Sequence, residues 1–255
     1  MNIITLQKKI WLKLYKIKRN LLNPNYYKFQ YWKICYPKVI NSQYKKNVSS
    51  MFGFSRAIFD WFKDDASELP YKYDLGPRST VVDVGGYIGS WARGITDRYN
   101  CSIIIYEPVN EYFIKLKKNF SKYQNVTLHN YGLGKENQNI KVQLRGIQTS
   151  TLHPQNHNYD EIIEIRDIAQ EDDITKNKID LMSINIEGGE YELIQRMIQC
   201  NLLVNINNIL IEFHEWYPSY KESGKLRSII QKELNKTHKL TFCYPFVWES
   251  WQIKS

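Results

Sequence analysis

Cysteine is scarce and scattered. The four residues, Cys35, Cys101, Cys200 and Cys243, lie far apart and form no C-x-x-C pair. That excludes a disulfide framework and a thiolate zinc site, and predicts buried or free thiols in a reducing, cytoplasmic setting. Long apolar runs are missing as well, with no stretch of the roughly 18 residues that a membrane span needs. There is no internal repeat and no low-complexity linker. Acid is absent from the start of the chain: residues 1–50 hold eleven Lys/Arg, and the first acid is Asp60. The 255 residues carry a net charge of +9, yet the last 205 hold 24 basic and 26 acidic groups. The body is therefore near neutral and lacks the overall positive field that draws in nucleic acid. Hydrophobic residues at 43% and charged residues at 24% exclude a disordered or collagen-like chain.

What is present divides near residue 50 into a basic arm, 1–50, and a domain, 51–255. Residues 3–22 read IITLQKKIWLKLYKIKRNLL. Ile3, Leu6, Ile10, Leu14, Ile17 and Leu21 recur at spacings of three and four, with Lys9, Lys13, Lys16 and Arg19 off that stripe. The spacing predicts a basic amphipathic helix that stops before Pro24. Lys8, Lys9 and Lys13 break the apolar core of a secretory signal. Two uses stay open. Residues 1–22 could lie in the plane of an anionic membrane surface, which would place the protein at the inner face of a membrane. They could equally pack on the body or on a neighbouring subunit.

A second helix is predicted from Phe52 to Lys63. From residue 79 short apolar strands alternate with helical stretches. STVVDV, SIIIYE, NVTLHN, LMSINI and NILIEF read as strands; 110–120, 191–198 and 226–234 read as helices. Residues 140–167 look extended, and the end, LTFCYPFVWESWQI, reads as a strand pair with aromatics at period two from Phe242 to Trp248. Continuous apolar strands alternating with helices predict a mostly parallel α/β sheet covered on both faces. Ligands of such sheets bind at the carboxyl ends of the strands.

The first strand ends in Asp83-Val84-Gly85-Gly86-Tyr87-Ile88-Gly89, a glycine turn that lets backbone approach a ligand. The second ends in Glu107-Pro108, and an acid at that spacing can accept hydrogen bonds from two ribose hydroxyls. The register of the nicotinamide fingerprint fails, because Val84 precedes the glycine pair. An acid two residues before the glycines suits a nucleoside that carries a sulfonium and an ammonium, S-adenosylmethionine.

VVDVGGYIG, YEP, NYGLG, IDLMSINIEGGEYELI and ILIEFH, in this order, resemble the FkbM-type methyltransferases over about residues 79–215. The resemblance implies a class I methyltransferase, Rossmann-like fold, and S-adenosylmethionine-dependent O-methylation of a sugar or polyketide hydroxyl. It places Asp83, Gly85, Gly86 and Gly89 in the cofactor loop, Glu107 at the ribose, and Tyr131 and Gly132 beside the adenine. The family's fourth strand reads Lys-x-Asp-x-Glu-Gly-x-Glu, where this chain has Ser183, Asn185, Glu187 and Glu190. Asn cannot take a proton or bind a cation as a carboxylate does.

Candidate catalytic residues are His214, Glu212, Glu187 and Glu190, with Asn185 in the position of the usual acid. His214 is the first candidate for the base, since an ordinary imidazole accepts protons at neutrality. Two residues after Glu212, it would point to the same side, and Glu212 would orient it. On that reading Asn185→Asp should be tolerated, or even raise activity. Glu187 and Glu190 could instead favour the first turn of the next helix. A divalent ion on Glu187, Glu190 and Glu212 is weakened by the missing carboxylate at 185. His129, His153, His157 and His238 have no partner spacing and read as surface or packing residues. Three functions compete: a glycan or small-molecule O-methyltransferase, a non-catalytic cofactor-binding or scaffold protein, and a nucleic-acid methyltransferase. The last lacks [N/D]-P-P-[Y/F] at 185–188.

Overall fold

A computed structural model describes residues 57, 58, 60–142, 161–215 and 220–254. The basic arm, the helix predicted over 3–22, His153 and His157 lie outside these residues. Of the helix predicted from Phe52, positions 57, 58 and 60–63 are helical. The chain divides into two units, Met1–Glu68 and Leu69–Ser255.

Within the second unit the β-branched runs form strands where the alternation predicts them. They are β1 (Thr80–Val84), β2 (Ser102–Tyr106) and β3 (Val126–His129). After the small insert described below come β7 (Leu181–Ile184), β8 (Asn208–Ile211), β9 (His238–Tyr244) and β10 (Trp248–Ile253). These seven make one sheet in the order β3-β2-β1-β7-β8-β10-β9. Neighbours from β3 to β8 are parallel, and β10 runs antiparallel to both β8 and β9. This is the class I methyltransferase arrangement with its antiparallel strand pair. Strand order reverses at β1, which lies between β2 and β7, and such a point opens a crevice beyond the strand ends.

Helices α1 (Ser90–Tyr99), α2 (Asn110–Asn119), α3 (Glu190–Gln199) and α4 (Tyr220–Thr237) cover the sheet. Alternate residues of each strand serve opposite faces, because successive side chains point to opposite sides. Val81, Ile103, Ile105, Leu181 and Leu210 pack with Ala92 and Ile95 of α1 and Leu116 of α2. Val82, Val84, Met182, Ile184, Ile209 and Ile211 pack with Tyr191, Ile194 and Met197 of α3 and Ile230 and Leu234 of α4.

A second sheet was not separable in the sequence. β4 (Gly132–Gly134) pairs parallel with β6 (Glu161–Asp167), and β5 (Gln138–Val142) pairs antiparallel with it. Glu161 Oε1 accepts from Asn110 N at 2.9 Å, which ties β6 to the start of α2. Lys135 Nζ reaches Glu192 Oε1 at 3.1 Å, which ties the insert to α3. The small sheet therefore spans the helix starts above the carboxyl ends of β1, β2 and β7. Its inner face, Val142, Ile163 and Ile165 with Ile140, packs with Val109 and Tyr112.

The C-terminal aromatics do not share one sheet face. A turn at 245–247 breaks the period, and Phe246 sits there with φ 59°. Behind the hairpin, Glu249 is buried with Arg227 of α4, whose guanidinium donates to its carboxylate. Gln231 Nε2 and Trp251 Nε1 donate to the same carboxylate at 2.9 and 3.0 Å. His238 is fully buried, and its Nε2 lies 2.9 Å from the Ile206 carbonyl oxygen, where burial pushes its pKa down. His129 has a partner after all, with Nε2 2.9 Å from Asp173 Oδ2.

Candidate functional site

A cavity of about 730 Å³ opens between the small sheet and the carboxyl ends of β1, β2 and β7. Its floor begins at the β1–α1 turn. Gly85 has φ 92°, and a Cβ there would stand 2.1 Å from the Asn185 carbonyl oxygen. Only glycine allows both that conformation and the close approach of the β1 and β7 turns. Gly85 and Tyr87 line the cavity; Gly86 and Gly89 shape the turn from behind, against Ile105 and Phe120.

Glu107 closes β2 and lines the cavity beside that turn. Its Oε2 accepts from Tyr87 N at 2.7 Å and its Oε1 from Val109 N at 2.8 Å. Burial pushes its carboxyl up to about 7 against the pull of those two donors. Asp83 lies under the turn, outside the cavity wall. Burial lifts it to about 7 as well, opposed by a hydrogen bond from Ser183, its direct neighbour on β7.

Gly132 and Leu133 line the cavity with Pro108 and Val109, but Tyr131 does not. Its ring turns away beneath the Arg166 guanidinium, 3.6 Å from the ring centroid, and its hydroxyl donates to Glu171 Oε2 at 3.1 Å. Tyr131, expected beside the adenine, thus lies off the cavity wall. The wall on this side is instead Pro108, Val109 and the apolar face of β5 and β6. The alternation in EIIEIRD carried that signal, with Ile163, Ile165 and Asp167 buried and Ile162, Glu164 and Arg166 turned out.

At the other end the cavity meets the turn after β7. Asn185, Ile186, Glu187, Gly188 and Gly189 all line it. Glu187 holds φ 53° and Gly188 φ 105°. A left-handed conformation costs a residue with a Cβ about 1–2 kcal/mol. Asn185 Nδ2 donates to Glu212 Oε2 at 2.9 Å. Glu212, raised to about 7 by burial, is off the cavity wall.

His214, the first candidate for the base, stands back from the cavity. His214 is buried behind Glu187 and is not on the cavity wall. Its Nδ1 lies 3.1 Å from Glu190 Oε1 and its Nε2 3.5 Å from Glu187 Oε2. Burial alone would push its pKa down, but the two carboxylates hold it up to about 10. That setting favours the imidazolium, which is a poor proton acceptor. β8 ends at Ile211, so the two-residue period that would set Glu212 and His214 on one side stops with the strand.

Glu190, with no accessible surface, is an anchor: Oε2 accepts from Gly188 N at 2.8 Å and Oε1 from His214 N at 2.6 Å. It also opens α3, where an acid suits the helix dipole. Among the described residues no group of three or more His, Cys, Asp or Glu is placed to hold a metal ion. Among the described residues no helix is long and apolar enough to cross a membrane.

The family model of the Methyltransferase FkbM domain matches residues 83–237. No curated protein matches the sequence. Among solved structures, a Streptococcus mutans protein in complex with SAH is 9% identical, covering 74% of this chain and 97% of that one, with a TM-score of 0.47. An rRNA methylase of Streptococcus thermophilus is 12% identical, with 71% and 90% covered and a TM-score of 0.43. The fibrillarin pre-rRNA processing protein of Methanococcus jannaschii is 10% identical, with 71% and 68% covered and a TM-score of 0.42. Likeness at this level carries no reading of the acceptor.

Proposed function

The chain belongs to the FkbM methyltransferase family, matched over more than half its length, and on that premise we propose that it methylates a hydroxyl of a sugar, glycan or related small molecule. Membership makes it an S-adenosylmethionine-dependent methyltransferase; the hydroxyl acceptor is the inference. When bound, the cofactor supplies a methyl group already activated on a sulfonium.

The residues present fit that cofactor. Each Glu107 oxygen accepts one backbone N–H, and a carboxylate offers about four lone-pair sites, so two remain for ribose hydroxyls. Gly85 would bring backbone against the amino-acid portion, and Pro108, Val109 and Gly132 would wall the adenine. What the protein must add is alignment of the acceptor oxygen and a destination for its proton.

The observation that carries the hydroxyl reading is the side-chain mixture in the rest of the cavity. Asn185, Glu187, Gln138, Lys135, Lys141 and Glu192 line it together. Amides, carboxylates and ammonium groups side by side both donate to and accept from neighbouring hydroxyls, which is what a sugar presents. The test is methyl transfer from labelled cofactor to methyl glycosides of hexoses and 6-deoxyhexoses, with an rRNA oligonucleotide alongside. Label in an O-methyl ether of a glycoside supports the reading. Label in the oligonucleotide alone, or in neither, overturns it.

A further inference from the structure

We propose that Glu187 takes the proton of the acceptor hydroxyl during methyl transfer, and that His214, held by Glu190, is the positioning residue that aims it. The proposal rests on the hydroxyl-acceptor reading above.

Among the described residues, three carboxylates line the cavity: Glu107, Glu187 and Glu192. Glu107 is engaged by the backbone N–H groups of Tyr87 and Val109, at the end that suits the ribose. Glu192 is paired with Lys135, and both side chains are more than 40% exposed to solvent. Glu187 is in the turn after β7, two residues beyond Asn185, with its side chain 21% exposed.

Its setting is over-determined in a way a surface glutamate's is not. The backbone is held left-handed at φ 53°. Non-glycine residues keep such conformations where surrounding structure forces them, and these cluster at active sites. Here the forcing structure is Glu190, which fixes the adjoining Gly188 N and, through His214 N and Nδ1, the ring behind Glu187. That ring turns Nε2 to Glu187 Oε2 at 3.5 Å. The pair puts a buried cation behind a carboxylate whose front faces the cavity.

The step balances. The acceptor oxygen bonds to the methyl carbon as the carbon–sulfur bond breaks, and its electron pair stays on sulfur, which becomes a neutral thioether. The hydroxyl proton passes to Glu187 and then to water.

The experiment uses the full chain with labelled cofactor and the same methyl glycosides. Glu187→Gln should lower kcat by about 10²–10⁴-fold, the usual loss for a general base. Cofactor affinity by calorimetry should stay within about twofold. Glu187→Gly removes the carboxylate at a backbone position glycine occupies without strain. Added formate should restore turnover to this variant and not to Glu187→Gln, where the amide fills the space. His214→Gln should lower kcat and leave the KM for the glycoside nearly unchanged. Wild-type transfer with Glu187→Gln equally active, or no formate rescue of Glu187→Gly, overturns the proposal alone. No transfer by the wild type overturns the hydroxyl reading, and this proposal with it.

Discussion

Ser183 stands beside Asp83 on the neighbouring strand, where the family pattern carries a lysine. A hydroxyl offsets a buried carboxylate far less than an ammonium would, and Asp83 rises to about 7. The partner exchange at 185 has the opposite sense, replacing an acid with an amide that donates to Glu212. That pairing sets an expectation for the stability of Asn185→Asp, apart from its activity. A carboxylate there would face Glu212 Oε2 across about the same distance, losing a donor and adding a like charge. Unfolding in urea should show a loss of about 1–3 kcal/mol at pH 8, shrinking toward pH 5 as the pair takes up a proton. Equal stability at pH 8 would contradict the pairing. At Glu107, Ala substitution removes the acceptor of two backbone N–H groups as well as the ribose contact proposed above. Calorimetry should show cofactor binding weaker by about 1.5–3 kcal/mol, the scale for hydrogen bonds to a charged group. His214 shows where residue-level reading stops. Its type and place after a strand are plain in the sequence, but the two carboxylates that keep it charged converge only in three dimensions.

Strands and helices of the main sheet were legible because β-branched runs such as VVDV and SIIIY leave little doubt of strand, and the glycine turn marks the start of α1. The small sheet was legible only as extended chain. β4 is three residues of which two are glycine, too short to show a period. Its partner β6 lies more than twenty residues away, and no local signal announces a parallel pairing. Most of the cavity wall missed in the sequence belongs to this insert. The C-terminal strand pair was legible, but the turn within it was not, since the turn keeps the aromatic spacing while ending the first strand. At this scale α4 and β10 depend on the Arg227–Glu249 pair. Arg227→Ala leaves a buried carboxylate without its cation and should cost about 3–5 kcal/mol in a denaturant titration. A loss below about 1 kcal/mol would show the pair to be dispensable. The basic stripe over 3–22 remains a reading of the sequence. We propose that it lies on anionic membrane surfaces, so that removing residues 1–22 should release the protein from anionic vesicles. Equal sedimentation of both forms would refute this.

For the molecule as a whole, the shifted groups set a direction for stability against pH. Asp83, Glu107 and Glu212 keep protons up to about pH 7 in the folded chain, whereas ordinary values are 3.8 to 4.5. The folded state thus binds more protons over that interval, and stability falls as pH rises through it. His214 continues the trend, since its contribution is complete below 6.5 and is lost as pH climbs to about 10. His238, with its pKa pushed down by burial, opposes the trend below its ordinary 6.5. The melting temperature of the cofactor-free protein should therefore fall from pH 5 to pH 9, with a shallower slope in Asp83→Asn. A rise over that range would contradict the burial argument. The place of β10 has a consequence of another kind, in the order of synthesis. β8, α4 and β9 leave the ribosome first, yet β10 must lie between β8 and β9. Until β10 has formed, the β8 edge is open and β9 lacks its neighbour in the sheet. If they closed on each other, β10 would be shut out of the sheet. Released chains cut before Trp248 should therefore remain protease-sensitive where those extending past Ile253 do not.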